Sequence, residues 1–309
     1  MADLGGPVPD FVAMGDEVVA CVGTRTVDLL EDAEPKVGPR LVRFDGQPRD
    51  LFATTDVGAT CAGTAMDTEG RVFAAIGSSG EGGIFRVLRG VDAAPRIAQV
   101  HGVRDVAAWG GEVVVAVGVE GTTNAGLSRL PVGGAEVATP IAETLSPQRL
   151  PTKVVVETNG RITWSIASTE EILTKSSLDA AEVEILVDGR GSLPRASGLR
   201  DFAVVEEGVV VILDDLILTV PRTRPWDFTA LVGRAGEARL VADEAALYVA
   251  WWADEIVERI DRASGARTIL GSGIRGGTLA LDGDSLWIGE ARGSRLLRVR
   301  IPVGTPSSG

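Results

Sequence analysis

Two stretches of the chain decide its reading: GVRDVAAWGGEVVV, Gly102–Val115, and GLRDFAVVEEGVVV, Gly198–Val211. Each opens on glycine, an apolar residue and Arg-Asp, runs through apolar and small residues, turns at a Gly- or Glu-containing pair, and closes on three valines. Two β-branched or apolar runs separated by a short turn are a hairpin signal. The reappearance of the same hairpin later in the chain is the mark of a repeat architecture. PDFVAMGDEVV, from Pro9, begins the chain in the same way.

Working outward, the second half of that hairpin recurs as EVVACVG, RVFAAIG, EVVVAVG, RITWSIA, GVVVIL, ALYVAWW and SLWIGEA. The first apolar residue of each run is Val18, Val72, Val113, Ile162, Val209, Leu247 and Leu286, a mean spacing of about 45 residues. Propeller blades repeat at roughly 40–50 residues. A third run follows with the pattern apolar–x–basic: LVRF at Leu41, IFRV at Ile84, LSRL at Leu127, LTKS at Leu173, VERI at Val257 and LLRV at Leu296. The fifth unit departs from it with LILTV, Leu216–Val220. A turn and a fourth run, such as ARTIL or DFTALV, end the unit.

Four short runs per unit read as one antiparallel sheet, and units that cannot bury their faces alone must stack on neighbours. The expected fold is therefore all-β: a seven-bladed β-propeller of four-stranded antiparallel blades. Its units start near residues 10, 64, 105, 153, 201, 238 and 277 of a single domain spanning 1–309. WADEIVERIDRAS could form an amphipathic helix, but it falls in register with the third run of the other units and is read as a strand. The last unit supplies only three runs. It either remains three-stranded or borrows Ala2–Val8 as an outer strand, where prolines 7 and 9 are tolerated at an edge.

The unit LYVAWWADEIVERIDRASGARTIL, Leu247–Leu270, resembles blades of YWTD- and NHL-type propellers, in which an LYW or LYV strand precedes an I-x-R strand and a small turn. GLSRLPVGGAEVATPIA, from Gly126, is similar. The resemblance implies the fold and not a chemistry, since such families include binding modules, scaffolds, lyases, lactonases and synthases. No recurring Gly-His/Trp-Asp pair, Asp-box, kelch double glycine or tryptophan-docking motif accompanies it.

The formal net charge of −13 excludes the concentrated basic surface that nucleic acid or an anionic membrane requires. Hydrophobic residues make up 45 % of the chain, enough for a core, yet no apolar run approaches the ~20 residues of a membrane span. Neither nucleic-acid binding nor membrane insertion is expected, and the chain is read as a monomer. MADLGGPVPD has no basic patch or apolar segment of a signal peptide.

In this blade order the loops before each first strand and between second and third strands share one face, where a ligand would enter the channel. Aligned at that mouth are Asp10, Thr64, Asp105, Val154, Asp201, Arg239 and Thr278, with Arg104, Lys153 and Arg200 one position earlier. Arg104, Asp105, Arg200, Asp201, Asp10 and Arg239 are the candidate ligand-binding residues. The bland reading is a solvated channel lining whose charges pair between blades. His101, the one histidine, could act as a base, but a lone loop histidine is more often a bystander. It rules out a histidine-based metal cluster. Asp282-Gly283-Asp284 could offer oxygens to Ca²⁺, but these residues equally make a two-residue hairpin turn, and no cofactor is assigned.

Trp226, flanked by Arg222 and Arg224, is the tryptophan best placed for an exposed contact, and Thr24–Pro39 is the longest insertion. Cys21 and Cys61 fall on the mouth face, and a bond between them would imply an exported protein. The functional expectation is a non-catalytic binding or scaffold propeller that holds a small molecule or a protein segment at the channel mouth. The alternative is a propeller enzyme, a lyase, lactonase or other hydrolase, using Asp105, Asp201, Asp10 and His101 beside Arg104 or Arg200.

Overall fold

In the computed structural model the chain forms seven four-stranded antiparallel sheets set in a ring, a seven-bladed β-propeller. The structure describes residues 1–23, 38–56, 58–78, 82–118, 125–133, 138–143, 149–188, 198–213, 215–222 and 229–301. A short β1 (Ala2–Asp3) precedes the first blade, which is β2 (Asp10–Met14), β3 (Glu17–Val22), β4 (Arg40–Phe44) and β5 (Pro48–Ala53). Blade 2 is β6 (Thr60–Met66), β7 (Val72–Gly77), β8 (Gly83–Val87) and β9 (Arg96–Ala98). Blade 3 is β10 (Val103–Trp109), β11 (Glu112–Gly118), β12 (Ala125–Pro131) and β13 (Thr139–Glu143). Blade 4 is β14 (Pro151–Val156), β15 (Ile162–Ile166), β16 (Glu171–Lys175) and β17 (Glu184–Asp188).

Blade 5 is β18 (Leu199–Val205), β19 (Gly208–Leu213), β20 (Leu216–Pro221) and β21 (Thr229–Val232). Blade 6 is β22 (Ala238–Ala242), β23 (Ala246–Trp251), β24 (Ile256–Asp261) and β25 (Arg267–Ser272). The helix-like stretch around Ile256 is thus a strand, as its register requires. Blade 7 takes β26 (Gly277–Asp282), β27 (Ser285–Glu290) and β28 (Arg295–Arg300) from the end of the chain and β1 from its beginning. Ala2 pairs with Leu296 and Asp3 with Arg295, so the N-terminus closes the ring and the last blade has four strands. Asp282-Gly283-Asp284 lies at the β26–β27 hairpin, where Gly283 sits at φ +57°.

The second strand of each blade is buried on both faces, which explains its unbroken apolar runs. Alternate residues go to opposite neighbours, as a strand's period of two dictates. In β7, Ala74 and Ile76 pack toward blade 1, while Phe73 and Ala75 pack toward blade 3. In β23, Leu247, Val249 and Trp251 meet blade 5, whereas Tyr248 and Ala250 meet blade 7. Each hydrophobic cluster therefore belongs to a pair of blades, and the core is a ring of interfaces.

Candidate functional site at the channel mouth

The inner strands of blades 2 to 5 each slip register by one residue near their start, leaving Ala62, Arg104, Thr152 and Arg200 as extra residues in the ladder. A bulge of this kind re-aims the side chains around it. In blades 3 and 5 the bulged residue is the arginine of the repeated Arg-Asp pair.

The three aspartates turn to the neighbouring blade. The Asp10 carboxylate accepts the Thr64 amide N–H at 2.5 Å and the Thr64 hydroxyl at 3.1 Å. Asp105 accepts the Val154 N–H at 2.8 Å, and Asp201 accepts the Leu240 N–H at 2.8 Å. Thr278 of blade 7 takes the same place with opposite polarity, its hydroxyl donating to the Val8 carbonyl at 2.9 Å. Odd-numbered blades thus reach to the next blade around the ring.

The remaining junctions close by other means. Gly63 lies so close to Asp105 that a Cβ there would collide with the carboxylate. Lys153 donates to Asp201 and to the Phe202 carbonyl, both at 2.7 Å. The Trp252 indole N–H donates to the Gly277 carbonyl at 3.0 Å. Asp105 and Asp201 are buried, 6 % and 7 % exposed, so these charge-assisted bonds lie out of bulk water.

The cations occupy an arc at the same level. Arg104, Lys153, Arg200 and Arg239 stand near the starts of the inner strands of blades 3, 4, 5 and 6 in turn. Arg200 pairs with Glu237 at 3.1 Å. Arg239 lies over the Trp252 ring, 4.7 Å from its centroid, and Arg292 lies 5.1 Å from the same ring. The ring face attracts the guanidinium electrostatically, and Arg239 also donates to the Ala238 carbonyl at 2.9 Å and pairs with Glu237 at 3.7 Å.

Trp252, Arg292 and Glu237 were not singled out by the repeat. Trp252 and Arg292 follow a second strand, in the loops that share the mouth face, and their position after β23 and β27 is the signal that finds them. His101 is exposed in the turn entering β10. Cys21 of β3 and Cys61 of β6 are joined by a disulfide across the junction of blades 1 and 2, Cα to Cα 5.8 Å. Trp226 and residues 24–37 of the insertion lie outside the described residues. Among the described residues no three His, Cys, Asp or Glu side chains gather as a metal-holding group, and no helix is long and apolar enough to cross a membrane.

No family model and no curated protein matches the sequence. Solved structures do match in fold. The chain superimposes on a chain of a nidogen/laminin complex with a TM-score of 0.57 at 13 % identity, covering 84 % of this chain and 90 % of that one. Virginiamycin B lyase from Staphylococcus aureus gives 0.64 at 12 % identity, over 97 % and 98 % of the two chains. PorZ, a surface component of the type-IX secretion system of Porphyromonas gingivalis, gives 0.67 at 15 % identity, over 98 % of this chain and 48 % of its own. These likenesses agree with the β-propeller fold that the repeat implies. They span an enzyme and proteins of binding or surface assemblies, so they carry the fold alone.

Proposed function

We propose that the chain is a non-catalytic binding propeller whose channel mouth holds a small anionic molecule. The observation that supports this reading is the arc of Arg104, Lys153, Arg200 and Arg239 on four successive blades of a protein whose net charge is −13. Clustered cations in a cleft focus field on an anion regardless of the overall charge. The carboxylates of Asp10, Asp105 and Asp201 beside them hold blades together, Asp201 with the Lys153 ammonium among its partners, so the reading assigns recognition to the guanidiniums of Arg104, Arg200 and Arg239. The same engagement counts against the enzyme alternative. Asp10, Asp105 or Asp201 would have to exchange a proton while each accepts the amide of an adjoining strand. The Cys21–Cys61 bond supports an exported protein, because disulfides persist in oxidising compartments.

The test is thermal unfolding at low ionic strength with citrate, pyrophosphate or sulfate, for the wild type and Arg104→Gln/Arg200→Gln. Site binding stabilises by about 2.7 kcal/mol at a hundredfold excess over Kd. Multivalent anions also stabilise proteins by exclusion from the surface, and that part survives in the variant. The expected result is a stabilisation by at least one anion that the double variant loses. Equal responses from both proteins would retire the mouth as an anion site.

A further inference from the structure

On the face opposite the mouth, between the hairpin turns of blades 4, 5 and 6, lies a groove of 1310 Å³. It begins at the ends of the inner strands, at Val156, Val205 and Ala242, and reaches Thr229 and Leu231 on the outer strand of blade 5. Val155, Val204 and Leu231, each partly exposed, give it an apolar floor over the buried Leu247 and Val205. Its lining carries six carboxylates (Glu157, Glu206, Glu207, Asp243, Glu244 and Asp261) against three guanidiniums.

Two of those guanidiniums are already committed. Arg222 holds Glu157 of blade 4 with two bonds, 2.9 and 2.7 Å, and the Val205 carbonyl of its own blade at 3.1 Å. Arg262 binds Glu207 of blade 5 and donates to the Asp243 and Glu244 carbonyls of its own blade, each at 3.0 Å. These two clamps fix the groove's walls by tying each turn to the preceding blade. Asp243 is held by the Tyr248 hydroxyl at 3.0 Å and the Ala246 N–H at 2.7 Å. The exposed carboxylates of Glu206 and Glu244 make no hydrogen bond or ion pair among the described residues.

We propose that this groove binds an extended segment of another protein in which Lys or Arg alternates with apolar residues. Its size favours a peptide, since pockets for small ligands span about 300–1,000 Å³. From inner to outer strand is three strand spacings, roughly 14 Å, the reach of about four extended residues. A strand-like segment sends alternate side chains to opposite sides. One set meets the apolar floor, and the other meets Glu206 and Glu244. The pre-set walls spare the protein the ordering that a flexible surface would undergo on binding. The groove lies on the other face and takes the opposite charge from the mouth, so it does not rest on the anion reading.

The probe is a fluorescein-labelled hexapeptide alternating Lys and Val, followed by anisotropy at physiological salt. A Glu/Val peptide and a Lys/Ser peptide serve as comparisons. Expected is saturable binding of the Lys/Val peptide that exceeds either comparison, weakened at least fivefold by Glu206→Gln/Glu244→Gln. The off-groove pair Glu182→Gln/Glu184→Gln, which removes the same charge, and Arg104→Gln at the mouth should leave it unchanged. Equal weakening by the off-groove pair would show attraction to net charge alone and overturn the assignment. So would preference for the Glu/Val peptide, binding of Lys/Ser as tight as Lys/Val, or no binding of any peptide. Self-association that the groove double variant abolishes would assign the groove to a second copy and equally overturn it.

Discussion

At the bulge of β10, Arg104 and Asp105 are adjacent in the chain, yet the carboxylate turns to the Val154 amide of blade 4 while the arginine is the extra residue of the ladder. Asp201 and Arg200 divide in the same way in blade 5. Removing the two kinds of residue should therefore have different consequences. Asp201→Ala leaves the buried Leu240 N–H without its acceptor and Lys153 with the Phe202 carbonyl but no carboxylate. An unsatisfied buried donor costs about 1–3 kcal/mol. Lys153 is 28 % exposed, so water softens the rest. Arg200→Gln breaks the part-exposed ion pair to Glu237, a contact of the kind worth about 1 kcal/mol or less. Urea unfolding of the two variants checks the order, and a larger loss for Arg200→Gln would reverse the division of labour.

Tyr248, the one tyrosine of the chain, offers a second check at this scale. Burial, followed by the Asp243 carboxylate, pushes its phenol up to about 12. Its folded value lies above the unfolded one near 10, so its contribution to stability is complete below about pH 10 and lost as pH rises through about 12. Absorbance of the phenolate should titrate near 12 in the native protein and near 10 in urea. A native midpoint near 10 would mean that β23 is not packed as described.

Among the elements, legibility in the sequence follows burial. The run GVVVIL of β19 is covered on both faces, so every position is apolar and the repeat stands out. The outer strands β9, RIA, and β21, TALV, are short, with β21 largely solvated and β9 burying only Ala98, and little in their composition separates them from loops. The Arg-Asp pairs were visible because they recur. Which member faces the neighbouring blade was not, since that depends on a register slip that leaves no mark in residue type. Trp252 and Arg292 lie in loops where the repeat marks a position after the second strand but no residue type, and the groove between blades 4 and 6 exists only once three turns are placed side by side.

The disulfide between β3 and β6 staples two elements 40 residues apart in sequence. Closing a loop of that length stabilises by about 4 kcal/mol on the chain-entropy estimate. Cys21→Ala/Cys61→Ala should lower stability by an amount of that order, added to the loss of two fully buried sulfur atoms, and make the protein indifferent to reductant. Unchanged unfolding in the variant would show that the staple adds nothing to the packing of blades 1 and 2.

For the molecule as a whole, the ring brings to one opening residues that are about fifty positions apart in sequence, and closure by β1 brings the two ends of the chain into one sheet. The proposed function rests on that juxtaposition: Asp10, Asp105 and Asp201 tie blades together, and Arg104, Lys153, Arg200 and Arg239 stand near the starts of four successive inner strands. Anomalous diffraction from crystals grown with selenate locates an anion directly. A selenate bound within roughly 3 Å of guanidinium nitrogens of Arg104, Arg200 or Arg239 is the expected result. Selenate bound elsewhere on the ring, with none at these arginines, would contradict it.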